Sequence, residues 1–379
     1  WWPSVSVEGN ASRSGQWGDE IPESYANTYS ASGAASYEID LWGRVRSTRH
    51  AAVFDEHSSR EDLRAAVLSL SARIAATWYE IAEARSQVLV LSEQVEANEQ
   101  TLEIITLRFR GGLVGAADVL WQEQLLESSR GNLALAESRL EVLRNQLAVL
   151  VGRVPQAHVV DEEAALVAMP PLPDAGVPAE LLQRRPDLRA AELDVAAASA
   201  RLGAAVADRF PRVSITASVS SSATTTTDLF TSWLSNLVGN LTMPLIDGGA
   251  RKAEAERQEA LVQEAFHRYR QTVLTSLQEV ENALTRESYQ SSYLTSVREQ
   301  LALANEVLER NRDAYRGGQV NYIVVLTALI SQQSLERQQL SAHRELIGHR
   351  IELCRALGGG WSSESPAETP AGSNGRTQP

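Results

Sequence analysis

The sequence predicts a mainly α-helical chain with a smaller β contribution, built from two copies of one unit. In each copy two strands precede a long helix and a returning helix. Three observations carry this prediction: an internal repeat, segments of alternating polarity, and an apolar periodicity of seven residues. When residues 110–152 are placed on 316–358 without a gap, 12 of 43 positions are identical. We therefore interpret the chain as a first repeat at 1–152, a linker at 153–185, a second repeat at 186–358 and a disordered tail at 359–379.

Each repeat opens with two segments that are typical of strands. Residues 213–220 alternate between apolar and hydroxyl side chains, which gives one apolar face and one Ser/Thr face. Residues 4–11 begin the first repeat in a similar way. Partner strands are predicted near 28–41 and near 235–246, the second of them ended by Pro244.

The remainder of each repeat has the pattern of long paired helices. Apolar residues recur at steps of three and four, with Asn98 as a polar exception in the first long helix. This periodicity is typical of coiled-coil packing, and a plain helical-bundle core explains it equally well. The predicted helices are 44–109 and 250–315, with return helices at 117–152 and 322–357.

The lengths of these helices predict a further element before residue 1. Each long helix would extend ~100 Å at 1.5 Å per residue. The return helix at 117–152 and a helix predicted at 186–207, which opens with Pro186, together nearly match the first long helix. The return helix at 322–357 has no such partner. Repeat symmetry therefore predicts that the chain is truncated and lacks one helix ahead of Trp1.

Composition and motifs argue against several classes of function. The net charge is −13 and the Lys and Arg residues are scattered, so a nucleic-acid partner is not expected. A single cysteine, Cys354, excludes an internal disulfide and a multi-cysteine metal site. The histidines lack metal-ligand spacing, and no phosphate-binding loop or nucleophile motif occurs. The sequence thus predicts no enzyme activity, no cofactor and no metal.

Four segments together resemble one family. They are 37–46 (YEIDLWGRVR), 181–187 (LLQRRPD), 243–249 (MPLIDGG) and 356–361 (ALGGGW). They are similar to the signatures of TolC-type outer-membrane efflux factors, especially the lipoprotein, NodT-like branch that serves resistance-nodulation-division pumps. The resemblance implies a homotrimer with a twelve-stranded barrel in outer-membrane lipid and a periplasmic α-helical tunnel. It also implies a periplasmic adaptor protein and an inner-membrane pump as partners.

The resemblance implies that the two hairpin turns are the periplasmic tips, where the adaptor docks and the resting channel closes. Glycines at these turns also suit helix C-caps, whatever the function. The tip and adaptor-binding residues implied in this way are Phe109, Arg110, Gly111, Gly112 and Val114 in the first turn and Tyr315, Arg316, Gly317, Gly318 and Val320 in the second.

Three positions correspond to the channel entrance of the family. Asp118 matches an acidic position near the tunnel mouth, although an ordinary first-turn aspartate explains it equally well. Val324 and Thr327 stand in the second repeat, and Thr327 replaces a carboxylate that is usual in the family. The linker would form the family's equatorial region, and Arg185, Pro186 and Asp187 at its end are expected to be structural.

The sequence thus leaves two functions open. One is a passive exit duct for small molecules in a tripartite efflux or export system, gated at its helical tips and contributing to multidrug resistance. The alternative is a soluble structural coiled-coil scaffold. The alternating strands favour the channel, because a pure coiled coil has no reason to contain them.

Overall fold

The computed structural model describes residues 2–18, 21–155, 166–167 and 184–359. The order of strand, strand, long helix and return helix occurs twice, and a further helix opens the second set, so the predicted fold class is confirmed. The strands are β1 (Ser4–Gly18), β2 (Ile21–Ile39), β3 (Arg212–Ala223) and β4 (Leu234–Thr242). The helices are α1 (Arg44–Arg110), α2 (Ala116–Leu150), α3 (Pro186–Ala207), α4 (Ala250–Arg316) and α5 (Tyr322–Ala356).

The helix bounds agree with the sequence prediction to within two residues, whereas three strand bounds were wrong. Strand β2 begins before residue 28 and ends at Ile39, and β4 ends at Thr242, two residues before Pro244. The early end of β2 has a local cause: Asp40 accepts hydrogen bonds from the Val45 and Arg46 amides at 3.0 and 2.9 Å. Asp40 therefore belongs to the start of α1 rather than to the strand.

The two long helices begin in the same way. Asp247 accepts hydrogen bonds from the Gly249 and Arg251 amides at 3.0 and 3.3 Å, as Asp40 does ahead of α1. The backbone amides of Arg251 and Gly249 lower the pKa of the Asp247 carboxyl below its ordinary value. Burial raises the pKa of Asp40, but the amides of Arg46 and Val45 outweigh burial and leave that pKa lowered.

The described residues fall into two compact units. The first, here called the strand unit, contains the chain up to Asp62 together with Asp187–Thr272. The second, here called the helical unit, contains Leu63–Pro186 and the chain from Val273 onward. Each unit takes residues from both sequence repeats.

The strand unit contains a four-stranded antiparallel sheet in the order β1-β2-β3-β4. In β3 the apolar side chains are the more exposed set, with Ile215 at 40% and Val219 at 41%. The alternate hydroxyl residues are half-buried, and Ser36 and Thr216 form a hydroxyl pair across β2 and β3 at 3.4 Å. This is the reverse of a sheet that packs an apolar face on a protein core.

The helical unit is held by separate apolar clusters rather than one continuous core. One cluster joins α1 and α2 through Ile81, Ala84, Leu140, Leu143 and Leu147. A second joins the middle of α4 to the C-terminal end of α5. A third lies beside the turns and includes Ile105, Leu308, Tyr322, Val325, Leu326 and Leu329.

Two predicted segments lie largely outside the described residues. Of the linker at 153–185, the structure describes 153–155, 166–167 and 184–185. Of the tail at 359–379, it describes Gly359. The predicted disorder of the tail therefore stays a prediction.

Candidate functional site: the two hairpin tips

The two hairpin turns have the same backbone. Gly112 and Gly318 both have φ of 72°, the left-handed region in which glycine ends a helix without steric cost. The Leu113 amide donates to the Arg108 carbonyl at 2.9 Å, and the Gln319 amide donates to the Ala314 carbonyl at 2.9 Å. These hydrogen bonds satisfy carbonyls that would otherwise lack partners at the ends of α1 and α4. The repeated Arg-Gly-Gly sequence thus has a structural reason at both tips.

At the first tip, the start of α2 is capped by an aspartate of the same helix. The Gly115 amide donates to Asp118 Oδ2 at 3.1 Å, and the Asp118 amide donates to the Gly115 carbonyl at 3.2 Å. Asp118 therefore caps α2, in a position where the helix dipole also favours a negative charge. Its side chain is half-buried beside this turn.

The second tip has no carboxylate at the equivalent position. Asn321 precedes α5 without a side-chain capping bond, and the Val324 amide donates to the Asn321 carbonyl at 3.1 Å. Val324 is 39% exposed. Thr327 donates from its hydroxyl to the Ile323 carbonyl at 2.8 Å, within its own helix. Of the three predicted entrance residues, Asp118 alone carries a charge.

Two tyrosines anchor the second tip instead. Tyr315 and Tyr322 lie with ring centroids 5.7 Å apart, and the Arg108 guanidinium lies 4.6 Å from the centroid of the Tyr315 ring. Tyr322 is 4% exposed and donates from its hydroxyl to Gln122 Oε1 at 2.5 Å. Gln122 lies on α2, so this bond attaches the start of α5 to the first hairpin.

Burial controls the ionisation of both tyrosines. It raises the pKa of Tyr315, and the nearby Arg108 partly offsets this shift. Burial raises the pKa of Tyr322 further, and the adjoining Tyr315 and Asp118 act in the same direction. Both phenols are therefore neutral at physiological pH, and the Tyr322 hydroxyl acts as a hydrogen-bond donor.

The remaining predicted tip residues divide into exposed and packed ones. Phe109 is 44% exposed, and Arg110 is exposed. Arg316 is exposed and pairs with Asp313 at 3.0 Å. Val114 packs against the apolar cluster beside the turns, and Val320 is half-buried. Exposed arginines at both tips leave guanidinium groups available to a docking partner.

Arg185, the first of the three predicted structural residues, lies beside the end of α5, within the helical unit. Arg185 is 5% exposed, pairs with Glu279 at 2.9 Å and donates to the Ala356 carbonyl at 2.9 Å. Gly358, with φ of 90°, packs so closely that an added Cβ would lie 3.1 Å from the Arg184 carbonyl. Arg184 and Arg185 thus meet Ala356 and Gly358 in space, and a side chain at 358 would press against the Arg184 backbone.

Pro186 and Asp187 open helix α3. Pro186 is buried at the first helical position, where its missing amide hydrogen costs nothing. Asp187 lies in the first turn and accepts a hydrogen bond from the Leu188 amide at 3.0 Å. A carboxylate there complements the helix dipole.

A set of buried polar residues was not predicted from the sequence. Gln122 and Asn98 are 0% exposed, Gln94 and Gln333 are 4% exposed, and Gln87 is 8% exposed. Asn98 is therefore one of a series rather than an exception. The available signal was their spacing, since Gln87, Gln94 and Asn98 continue the steps of seven and four that Leu91 and Ile105 follow.

Neither metal-binding clusters nor membrane-spanning helices occur in the described residues. No group of three or more His, Cys, Asp or Glu side chains there is arranged to hold a metal ion. None of the helices in the same part of the chain combines the length and the apolar character that crossing a membrane requires.

Comparison with known proteins identifies the family. The chain matches the family described as outer membrane efflux protein over residues 1–153 and 177–359. The chain belongs to the outer membrane efflux protein family. It is similar to the pyoverdine export outer membrane protein OpmQ of Pseudomonas aeruginosa, with 30% identity over 342 residues, which cover 89% of this chain and 71% of OpmQ. It is also similar to the cation efflux system protein CusC of Escherichia coli K12, with 27% identity over 369 residues, covering 95% and 79%.

A solved structure agrees with this assignment. The open state of the MtrE outer membrane channel of Neisseria gonorrhoeae has a TM-score of 0.83 and 29% identity, covering 94% of this chain and 81% of that channel. As an outer membrane efflux protein, the chain is a channel component of a tripartite efflux system in the outer membrane of a Gram-negative bacterium. Of the two functions that the sequence left open, the family supports the channel.

Proposed function

We propose that the chain forms, as a homotrimer in outer-membrane lipid, a passive exit duct for small molecules that is gated at its two hairpin tips. Channels of this family form homotrimers and work with an adaptor and an inner-membrane pump. The duct has no catalytic step of its own, so the free energy for export comes from the pump.

The observation that carries the proposal is that the two tips have the same turn but are held in place by different contacts. Gly112 and Gly318 give both tips the same turn, and Arg110 and Arg316 are exposed on both. The first tip is self-contained through Asp118, whereas the second depends on a contact with Gln122 of the first hairpin. A tip held by contacts with another hairpin is suited to move when a partner competes for them.

We propose that the adaptor docks on the exposed guanidinium groups of Arg110 and Arg316. Arginine presents several donors in a fixed plane and pairs well with carboxylates and backbone carbonyls. Each trimer would present six such groups from its three chains. Asp118 would contribute one carboxylate per chain near the entrance, which disfavours anions.

Conductance of single channels tests the proposal. The full chain is purified from outer membranes, checked for trimeric mass, and inserted into planar bilayers. Replacing the tip groups, by Asp118→Asn together with Arg110→Ser and Arg316→Ser, is expected to lengthen openings because the Gly115–Asp118 cap and the Arg316–Asp313 pair are lost at the tips. The control is Arg268→Ser, which removes an exposed guanidinium paired with Glu264 at 2.7 Å, in the strand unit.

Two results would contradict the proposal. A monomeric product that gives no conductance would favour the scaffold function. Trimeric channels whose openings are the same in the tip variant and in Arg268→Ser would show that the gate is not at the tips.

A further inference from the structure

The sheet of the strand unit has one face that is almost entirely apolar, here called the apolar face. The cross-strand register shows which residues share it, since Val7 lies opposite Gly33 and Gly33 lies opposite Val219. On the next strand pair, Ala217 lies opposite Leu237. Side chains alternate between the two faces of a strand, so every second residue from these positions belongs to the same face. Its large aliphatic members include Val5, Val7, Ile215, Val219, Leu237 and Leu241.

The apolar face is exposed rather than packed on a core. Val7 is 85% exposed and Leu237 is 76% exposed. A groove of about 630 Å³ lies along this face, lined in part by Val7, Gly33, Val219 and Leu237. Soluble proteins rarely leave a large contiguous apolar surface uncovered, whereas a sheet that spans an outer membrane turns such a face towards lipid.

Two tyrosines mark the height of the apolar face. Tyr29 and Tyr37 share this face on β2 and are eight residues apart. That separation is about 27 Å at 3.4 Å per residue. A strand tilt of about 40° reduces it to about 21 Å along the membrane normal, close to the ~25 Å apolar band of such sheets, which has aromatic residues at both borders. Tyr29 and Tyr37 therefore lie where the borders of a lipid-facing band are expected.

One charged residue departs from the apolar pattern. Arg13 belongs to the apolar face, because it lies opposite Asn27, two residues beyond Tyr29 towards the β1–β2 turn. Among the strand residues whose side chains the structure describes, it is the single charged member of this face. A charge on a lipid-facing surface is costly at the middle of a membrane and is tolerated near its border. The position of Arg13, just beyond Tyr29, satisfies this condition.

Aromatic rings hold Arg13 at this border. Its guanidinium carbon lies 4.7 Å from the centroid of the Tyr25 ring, which is a cation–π contact. The Trp17 and Tyr25 rings both lie over Gly15, because a Cβ added at Gly15 would be 2.7 Å from Trp17 and 2.9 Å from Tyr25. Tryptophan and tyrosine are enriched at the border between lipid and water.

The donors of Arg13 are available to a ligand. Its N–H groups lie in the plane of the guanidinium, so the contact with the face of a ring leaves them unused. Within the part of the chain that the structure describes, Arg13 forms no ion pair, whereas Arg44 pairs with Glu38 and Arg212 pairs with Asp208 at the other end of the sheet. A planar fork of N–H donors matches the oxygen atoms of a phosphate group.

The position of Arg13 along the strands identifies the leaflet. Strand β2 ends at Ile39 and α1 begins at Arg44, so the helix follows the end of the sheet that contains Tyr37. Arg13 lies towards the opposite end, which the β1–β2 turn closes. The helices of this family are periplasmic. Arg13 therefore lies at the leaflet that faces away from the periplasm.

We propose that Arg13, held against Tyr25, binds the phosphate group of an outer-leaflet lipid, and that an acyl chain of this lipid lies in the groove on the apolar face. Six residues separate Val7, in the groove, from Arg13. This separation is about 20 Å along the strand, or about 15 Å along the membrane normal, which is half the thickness of a ~30 Å hydrocarbon core. The inference rests on the part of the proposed function that places the chain in outer-membrane lipid, and it is independent of the gate.

Binding of lipid A, a phosphorylated lipid, tests the inference. The full-length protein is extracted from outer membranes, freed of lipid in detergent and mixed with lipid A, and native mass spectrometry counts the bound lipid. Arg13→Gln is expected to weaken binding about tenfold, because charge-assisted hydrogen bonds to the phosphate are lost. Lipid A from which the phosphate groups have been removed is expected to bind the wild type and Arg13→Gln equally.

Further variants separate the guanidinium from its surroundings. Arg13→Lys keeps the charge but loses the planar fork, so its affinity is expected to lie between those of the wild type and Arg13→Gln. Tyr25→Leu keeps the guanidinium but removes the ring beneath it, and is expected to weaken binding about threefold. The matched control is Arg268→Gln, which removes an exposed guanidinium of the strand unit outside the sheet and is expected to leave binding unchanged. Melting temperatures without lipid show whether each variant is folded.

Each outcome decides between the lipid site and the alternatives. If Arg13→Gln binds lipid A as tightly as the wild type, or if removing the phosphate groups does not weaken binding to the wild type, the lipid site is rejected. The proposed channel then stands, because single-channel conductance tests it separately. If inorganic phosphate displaces lipid A from the wild type at an equal concentration, Arg13 is a site for a free anion and the lipid assignment is wrong. A monomeric wild type that neither conducts nor binds lipid would contradict the proposed function as well.

Discussion

The two tips have nearly identical turns and differ in how each is held. Gly112 and Gly318 share one backbone conformation, and the hydrogen bonds that close the turns match to within 0.1 Å. After the turn the first tip uses Asp118 to cap its own helix. The second tip has Val324 at that place and is held by Tyr315 and Tyr322 against the first hairpin. We call the Gly115–Asp118 hydrogen bond the local anchor of the first tip and the Tyr322–Gln122 hydrogen bond the remote anchor of the second tip.

The two tips therefore depend on different parts of the molecule to keep their structure. The anchor of the first tip lies within four residues of sequence, so it forms wherever α2 forms. The anchor of the second tip exists when α1, α2 and α5 are packed together. A force or partner that separates the hairpins would thus release the second tip before the first.

The largest effect is expected from removing the Tyr322 hydroxyl. Tyr322→Phe leaves Gln122 Oε1 buried without its donor, which costs about 1–3 kcal/mol of unfolding free energy. Tyr315→Phe is the control, because the Tyr315 hydroxyl is buried without a hydrogen-bond partner and its loss costs less than about 0.5 kcal/mol. Denaturation midpoints of the purified trimers measure both. Equal losses in the two variants would refute the assignment of the anchor to Tyr322.

Part of this structure, namely the helices and the two turns, could be predicted from the sequence. The repeat and its period of seven fixed the five helices, and the Arg-Gly-Gly turns were placed correctly because left-handed glycines end helices locally. The strand ends were less accessible, since Asp40 and Asp247 lie between a strand and a helix and either assignment suits the local pattern.

The remote anchor could not be predicted from the sequence. Hydrophobic periodicity treats Gln and Asn as surface residues, so Gln94, Gln122 and Gln333 were assigned to no core. Their burial depends on hydrogen bonds with residues more than twenty positions away, up to 243 positions between Gln94 and Arg337. Partners at such separations are set by how the helices pack, which a single sequence does not state.

A smaller effect is expected from removing the capping carboxylate of the first tip and from adding one at the equivalent position of the second. Asp118→Ala removes the acceptor of the Gly115 amide and costs about 1 kcal/mol. Val324→Asp supplies the missing acceptor to the Asn321 amide and adds a few tenths of a kcal/mol, since Val324 is partly exposed. Hydrogen exchange of the full trimer is expected to speed up near 111–120 in the first variant and to slow down near 321–326 in the second. If Asp118→Ala loosens both tips equally, then the first tip is not self-contained.

The smallest effect is expected from pH, because it vanishes under physiological conditions. Burial raises the pKa of Tyr315 and Tyr322 above the ordinary value of 10.0. The unfolded chain then loses these protons first, so the stability they contribute is complete below pH 10 and is lost as pH rises through the folded-state pKa.

Melting temperatures measured from pH 9 to pH 11.5 should fall more steeply for the wild type than for the Tyr315→Phe, Tyr322→Phe double variant. Because the first tip has Phe109 where the second has Tyr315, exchange should accelerate at 317–326 and not at 111–120 over the same range. If the melting temperatures of the wild type and the double variant fall in parallel with pH, the pKa values of these two tyrosines are not raised by the packing of the second tip.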